Sequence, residues 1–119
     1  MSKGKGEQTP TESVASVQDT ASQLDARGRR ITVKRLNALD YYRLTKVMGR
    51  AASNEATMGM AMLAVTVRRI DTQDIAMPAS EKDVEFLMQQ LDFDGIAAAG
   101  EALKQLNRDP QEDEEAAKN

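Results

Sequence analysis

No cysteine, histidine or tryptophan occurs in the 119 residues, and Tyr and Phe contribute two each. Without thiols or imidazoles the chain has no disulfide, no thiol nucleophile, no zinc site of the usual ligand types and no histidine acid–base pair. Aromatics at 3 % argue against a surface that stacks bases. Long apolar runs are missing as well. The stretch Met58–Val67 is ten residues and includes Gly59 and Thr66, whereas a bilayer span needs about 20. Lys3 and Lys5 are followed by Glu7, Gln8 and Pro10, where a signal peptide needs an apolar core. A soluble, cytoplasmic protein is the expectation. There is no Gly-rich phosphate loop, and Ser and Thr hydroxyls have no His base. Neither an enzyme nor a cofactor is therefore expected, and no metal site.

Sixteen Lys and Arg stand against nineteen Asp and Glu, a net charge of −3. That balance argues against a general coat for nucleic acid or an anionic membrane. Composition divides the chain in three. Residues 1–20 are rich in Ser, Thr, Gln, Gly and Lys, with Val14 and Val17 as their sizeable apolar residues. Such a segment buries too little surface to offset its ordering entropy and is expected to be disordered. Residues 107–119 carry 2 basic and 5 acidic side chains and are expected to be an acidic disordered tail. Residues 21–106 are expected to form the folded domain. A domain this small buries roughly 60 % of its unfolded surface, so completion of its core by a partner or by a second copy is among the expectations.

Within the domain, Asp25-Ala26-Arg27-Gly28 fits a type I turn, with Asp first and Gly fourth. The run 29–35 alternates, with Arg29, Ile31, Val33 and Arg35 on one side and Arg30, Thr32 and Lys34 on the other. Period-two alternation with β-branched residues predicts a half-buried strand, and with the turn a β-hairpin over 22–35. Asn37 and Asp40 form a capping-box pair at the start of a helix over 38–48, which Gly49 can end. A second helix over 54–66 places Met58, Met62 and Val65 along one face and Met60, Leu63 and Val67 along another. A polar four-residue loop over 71–74, between Ile70 and Ile75, suggests a second small hairpin over 67–77. Ser80 and Asp83 mark a third helix carrying Val84, Leu87, Met88 and Leu91 at i, i+3, i+4 and i+7. A fourth, over 95–106, presents Ile96, Ala99, Leu103 and Leu106. The expected fold is α+β: a small, mostly helical domain of about four helices with one or two short β-hairpins.

Two features could carry function. The run from Arg27 to Arg35 holds five basic residues and no acid. Nucleic-acid binding is one reading, and a hairpin with a charged outer face that discourages edge pairing is the other. The scarcity of aromatics favours the second. Six of the seven Met residues lie between 48 and 88. Met fills core gaps, and it also serves adaptable binding surfaces. Met58, Met60 and Met62 cannot all share one helical face, so at least one is expected to leave the core and offer a partner surface.

The strings DARGRRITVKRLNALDYYRL at 25–44, NEATMGMAMLAVTVRRID at 54–71 and EKDVEFLMQQLDFDGIAAA at 81–99 resemble small tail assembly chaperones of long-tailed bacteriophages. Members similar to this chain pair an Asp-Ala-x-Gly-Arg turn with a strand. A Met-Gly-Met helix, an Ile-Asp turn and a Leu-x-x-x-Gly-Ile-Ala segment follow. One departure is Asp71-Thr72, where such members often have Asp-Gly. The resemblance implies a non-enzymatic factor made in the cytoplasm of infected or prophage-carrying bacteria. It would bind the tape measure protein, help recruit tail tube protein, and be absent from the mature virion. The competing readings are a minor structural tail or head–tail connector protein and a small DNA-binding regulator.

Overall fold

The computed structural model describes residues 19–107. The expectations for the N-terminal segment and the acidic tail fall almost wholly outside the described residues. Strands β1 (Thr20–Leu24) and β2 (Arg30–Lys34) pair antiparallel from Thr20↔Lys34 to Leu24↔Arg30. The anticipated turn joins them: the Asp25 carbonyl accepts the Gly28 N–H at 3.0 Å, and Gly28 takes φ 82°, a conformation open to a residue without Cβ. β1 begins two residues before the anticipated hairpin. Its small polar residues give no alternation to read.

Helix α1 (Ala38–Met48) starts at Asn37 with both capping-box bonds made. A 3₁₀ segment, Gly49–Ser53, leads to α2 (Glu55–Thr66), whose cap Asn54 accepts the Thr57 N–H. α2 passes without a linker into β3 (Val67–Ile70), which pairs with β2, and then β4 (Gln73–Asp74). The second hairpin is therefore tighter than anticipated. Gln73 and Asp74 belong to β4, so the connection is Asp71-Thr72 alone, with Asp71 at φ 55°. Asp tolerates this left-handed conformation better than most residues. It is held there by Arg30, whose N–H donates to the Asp71 carboxylate and whose carbonyl accepts the Asp71 N–H. The two hairpins form one antiparallel sheet of order β1-β2-β3-β4.

Helix α3 (Glu81–Asn107) carries both final helices expected, the one from Ser80 through Leu91 and the one over 95–106, as two helical runs that meet at a kink at Asp92 (φ 55°, ψ −172°). Taken as one kinked element, α3 brings the described residues to three helices where about four were expected. Ser80 Oγ accepts the Asp83 N–H at 3.1 Å, but the Asp83 carboxylate reaches back to Ala79, one residue beyond the cap.

Two apolar clusters hold these elements together. Ile31, Val33, Val67 and Ile70 of the sheet pack on Leu87, Leu91, Ala98, Ala99 and Ala102 of α3. Leu44 and Met48 of α1 pack on Met58, Ala61 and Val65 of α2 and on Val84. α2 serves both through Ala64 and Val65, which is why it is apolar on more than one face. At β2–β3 the register steps from Thr32↔Arg69 to Val33↔Val67, leaving Arg68 as the extra residue of a bulge. The bulge turns Arg68 back onto the end of α2, where its guanidinium donates to the Val65 and Val67 carbonyls. Burial lowers its pKa, partly opposed by the charge of Asp40. Arginine remains charged there and complements the negative end of the helix dipole.

Candidate functional site

The three methionines of α2 have three different surroundings. Met58 is 6 % exposed and sits in the cluster with Leu44, Met48 and Val84. Met60 is 41 % exposed and Met62 36 %. Met62 leaves the Met58–Val65 row anticipated for it. It lines an apolar groove of about 320 Å³ with Gly59, Leu63 and Thr66 of α2. Arg35 and Leu36, just beyond β2, and Leu103 and Asn107 from the last turns of α3 complete the lining. Residues four apart on a helix are displaced by about 40°, so Met62 stands at the border of the buried row, and there α3 does not cover it. The Thr66 hydroxyl donates to the Leu63 carbonyl at 2.6 Å and is therefore satisfied within the helix. The groove can offer dispersion contacts and polarizable sulfur to an apolar side chain. It holds no acid–base or nucleophilic set.

A second constellation was not visible as a site in the sequence. Arg29 and Arg35 extend the inward row of β2 at both ends of Ile31 and Val33, and both grip α3. Arg35 donates to the Leu106 carbonyl. Arg29 donates from Nη1 to the Gln90 carbonyl at 2.7 Å and from Nη2 to the Leu91 carbonyl at 2.9 Å, capping the first half of α3 where it stops. Its Nε donates to Asp25 at 2.8 Å. Asp25 is buried, and its other oxygen accepts the N–H groups of Arg27 and Arg29. Arg27 reaches across to Asp92 at 2.9 Å and Asp94 at 3.2 Å. Asp92 in turn accepts the Phe93 N–H. The turn Asp25–Gly28 thus clamps the α3 break.

The basic run is therefore not simply a charged outer face. Arg27, Arg29 and Arg35 bond to α3, although Arg27 and Arg35 are as exposed in class as Arg30 and Lys34, and Arg29 alone of the five is half-buried. The signals available in the sequence were the two arginines ending the inward row and Asp92-Phe93-Asp94-Gly95 interrupting a helical pattern.

Gly95 belongs to the same clamp. A Cβ there would stand 2.9 Å from Cβ and Cδ2 of Leu91 and 3.3 Å from Nη2 of Arg29. Gly95→Ala should cost about 1–3 kcal/mol by overpacking, read as a lower urea midpoint with an unchanged slope.

The clamp also sets an acid limit. Burial alone would raise the Asp25 carboxyl pKa. The N–H, guanidinium and charge of Arg29, with the Arg27 N–H, outweigh it and hold the pKa below the usual carboxylate value. At Asp92 the Phe93 N–H and then the Arg27 guanidinium act in the same direction. A folded-state pKa below the unfolded one stabilises above the unfolded value, about 3.9, and the gain disappears as pH falls through the folded value. The melting temperature should therefore drop below about pH 4. Asp25→Asn should be less stable at neutral pH and should lose less on acidification.

Among the described residues no helix is long and apolar enough to cross a membrane. Comparison with protein-family models, curated proteins and solved structures found no match for this chain.

Proposed function

We propose that the chain is a tail assembly chaperone of a long-tailed bacteriophage. It is a non-enzymatic factor that binds the tape measure protein in the bacterial cytoplasm and does not remain in the virion. The ordered resemblance over about 25–103 supports this reading. One structural observation carries it furthest: the Met-Gly-Met helix exposes Met60, and it exposes Met62 at an apolar groove. A chaperone holds apolar segments reversibly and without tight sequence demands. Unbranched thioethers repack against different side chains at low cost. An amphipathic client segment would lay its apolar face along the outer side of α2, with tail tube protein recruited by the resulting complex.

The test separates binding from folding. Met60→Lys and Met62→Lys place a charge where water already reaches, so melting temperatures should stay within a few degrees of the parent. Co-purification with co-expressed tape measure protein should be lost with at least Met62→Lys. Full retention by both variants refutes a client site on this helix. Recovery of the chain in stoichiometric amount from purified particles would instead select the structural-component reading.

A further inference from the structure

Strand β1 bounds the sheet on one side, and among the described residues no strand pairs with its outer edge. We propose that this edge pairs antiparallel with β1 of a second copy, about a two-fold axis at Ser22. Two four-stranded sheets then become one of eight strands. The inference is independent of the client reading of the α2 groove.

The backbone supplies the first argument. The Asp25 N–H donates to the Arg29 carbonyl at 2.9 Å, and facing alternates along an antiparallel strand. Gln23 and Ala21, opposite Ile31 and Val33, therefore turn their N–H and C=O groups toward β2. Thr20, Ser22 and Leu24 turn theirs outward. Such a row is its own complement under a two-fold axis. Ser22 then stands opposite the partner's Ser22 and Thr20 opposite the partner's Leu24, and each opposed pair exchanges both N–H···O bonds.

The contrast between the two edges is the second argument. Sheets guard an edge by shortness, charge, proline or a bulge. The β4 edge is two residues long and bears Asp74, ion-paired to Arg69 at 2.9 Å. β1 has five residues, Thr-Ala-Ser-Gln-Leu, with no charge and no proline, and it pairs with β2 without a bulge. The longer edge is the unguarded one.

The side chains fit the same axis. Ser22 Oγ lies 2.8 Å from Thr32 Oγ1, and the two-fold doubles this pair into a continuous row of hydroxyls, a contact that stabilises sheets. Leu24, 53 % exposed, comes beside the partner's Thr20. The cations of β2 do not oppose the pairing. Arg30 lies opposite Leu24 and Lys34 opposite Thr20, so Arg30 is three strand spacings from the partner's Lys34, about 14 Å. That exceeds the screening length of about 10 Å at 0.1 M salt. Five paired residues cover less than the roughly 1,200–2,000 Å² of a stable interface, so the dimer dissociates on dilution.

Sedimentation equilibrium on the full chain tests the proposal through Ser22. The parent should show a reversible monomer–dimer equilibrium. Ser22→Pro removes an N–H that faces outward and leaves the bonds to β2, and it should abolish the dimer. Ser22→Lys and Ser22→Glu each oppose like charges across the axis and should weaken self-association several-fold. Mixed in equal amounts, these two should associate more tightly than either alone, which an unfolded variant would not do. A parent that stays monomeric up to about 1 mM, a dimer indifferent to Ser22→Pro, or a Lys–Glu mixture no tighter than its components overturns the proposal.

Discussion

Arg29→Ala should lower stability by about 3–5 kcal/mol, the loss typical of removing one partner from a buried ion pair. Three deficits combine. The Asp25 carboxylate, whose side chain is fully buried beside the 20 %-exposed Arg29 side chain, loses its counter-charge. The Gln90 and Leu91 carbonyls lose their donors at the helix break. The inward row of β2 loses the end that bears on α3. For a domain of this size that loss corresponds to a fall in melting temperature of roughly 15–30 °C. Arg29→Lys should recover only part of it, because an ammonium cannot serve Asp25 and two carbonyls through one rigid fork. A lysine variant as stable as the parent would show that charge, and not the planar geometry, holds the break. Differential scanning calorimetry on the three proteins decides it.

Met58→Lys is expected to be comparably severe. Met58 lies between α1, α2 and Val84 in the second cluster. Removing its side chain from a core costs about 2–5 kcal/mol by lost packing alone, and the ammonium adds the penalty of a buried charge without a partner. Total stabilities of small domains are on the order of 5–15 kcal/mol. The variant should therefore lose its cooperative thermal transition, while Met58→Leu, which conserves volume, should lose less than about 1.5 kcal/mol. Loss of folding in Met58→Lys beside intact folding in Met62→Lys would divide one helix into a structural face and a binding face. Circular dichroism melts of the three variants give the answer.

The parts that sequence reasoning reached share a physical cause: their signals are local. Alternation at Arg29–Arg35 identifies β2 because side chains reverse at every residue. Asn37 with Asp40 fixes the start of α1 through bonds spanning three residues. What was not legible depends on contacts distant in sequence. Pairing of β2 with β3 joins residues that α1 and α2 separate, so the two hairpins could not be read as one sheet. The inward Arg29 and the interrupted helical pattern at Asp92 are each visible locally, but the grip of Arg29 on Gln90 and Leu91 that joins them is not. The expected gap between Leu91 and the helix over 95–106 falls where Asp92, Asp94 and Gly95, all turn formers, stand together. Only the capping of the preceding turn by Arg29 confines the interruption to one residue. For the methionines, spacing required that they diverge, but the position of α3 decides which of them reaches solvent.

The sheet order, sequential in name, has a consequence for how quickly the protein forms. β1 with β2, and β3 with β4, can each close over a short turn in microseconds. Joining them requires closing the segment 35–66, whose loop entropy must be met before the pairing of β2 with β3 returns anything. The α1–α2 packing through Leu44, Met48 and Met58 shortens that search by bringing the start of β3 toward the end of β2. The second cluster, which adds no residue to the sheet, is thus expected to act on the rate at which the sheet is completed.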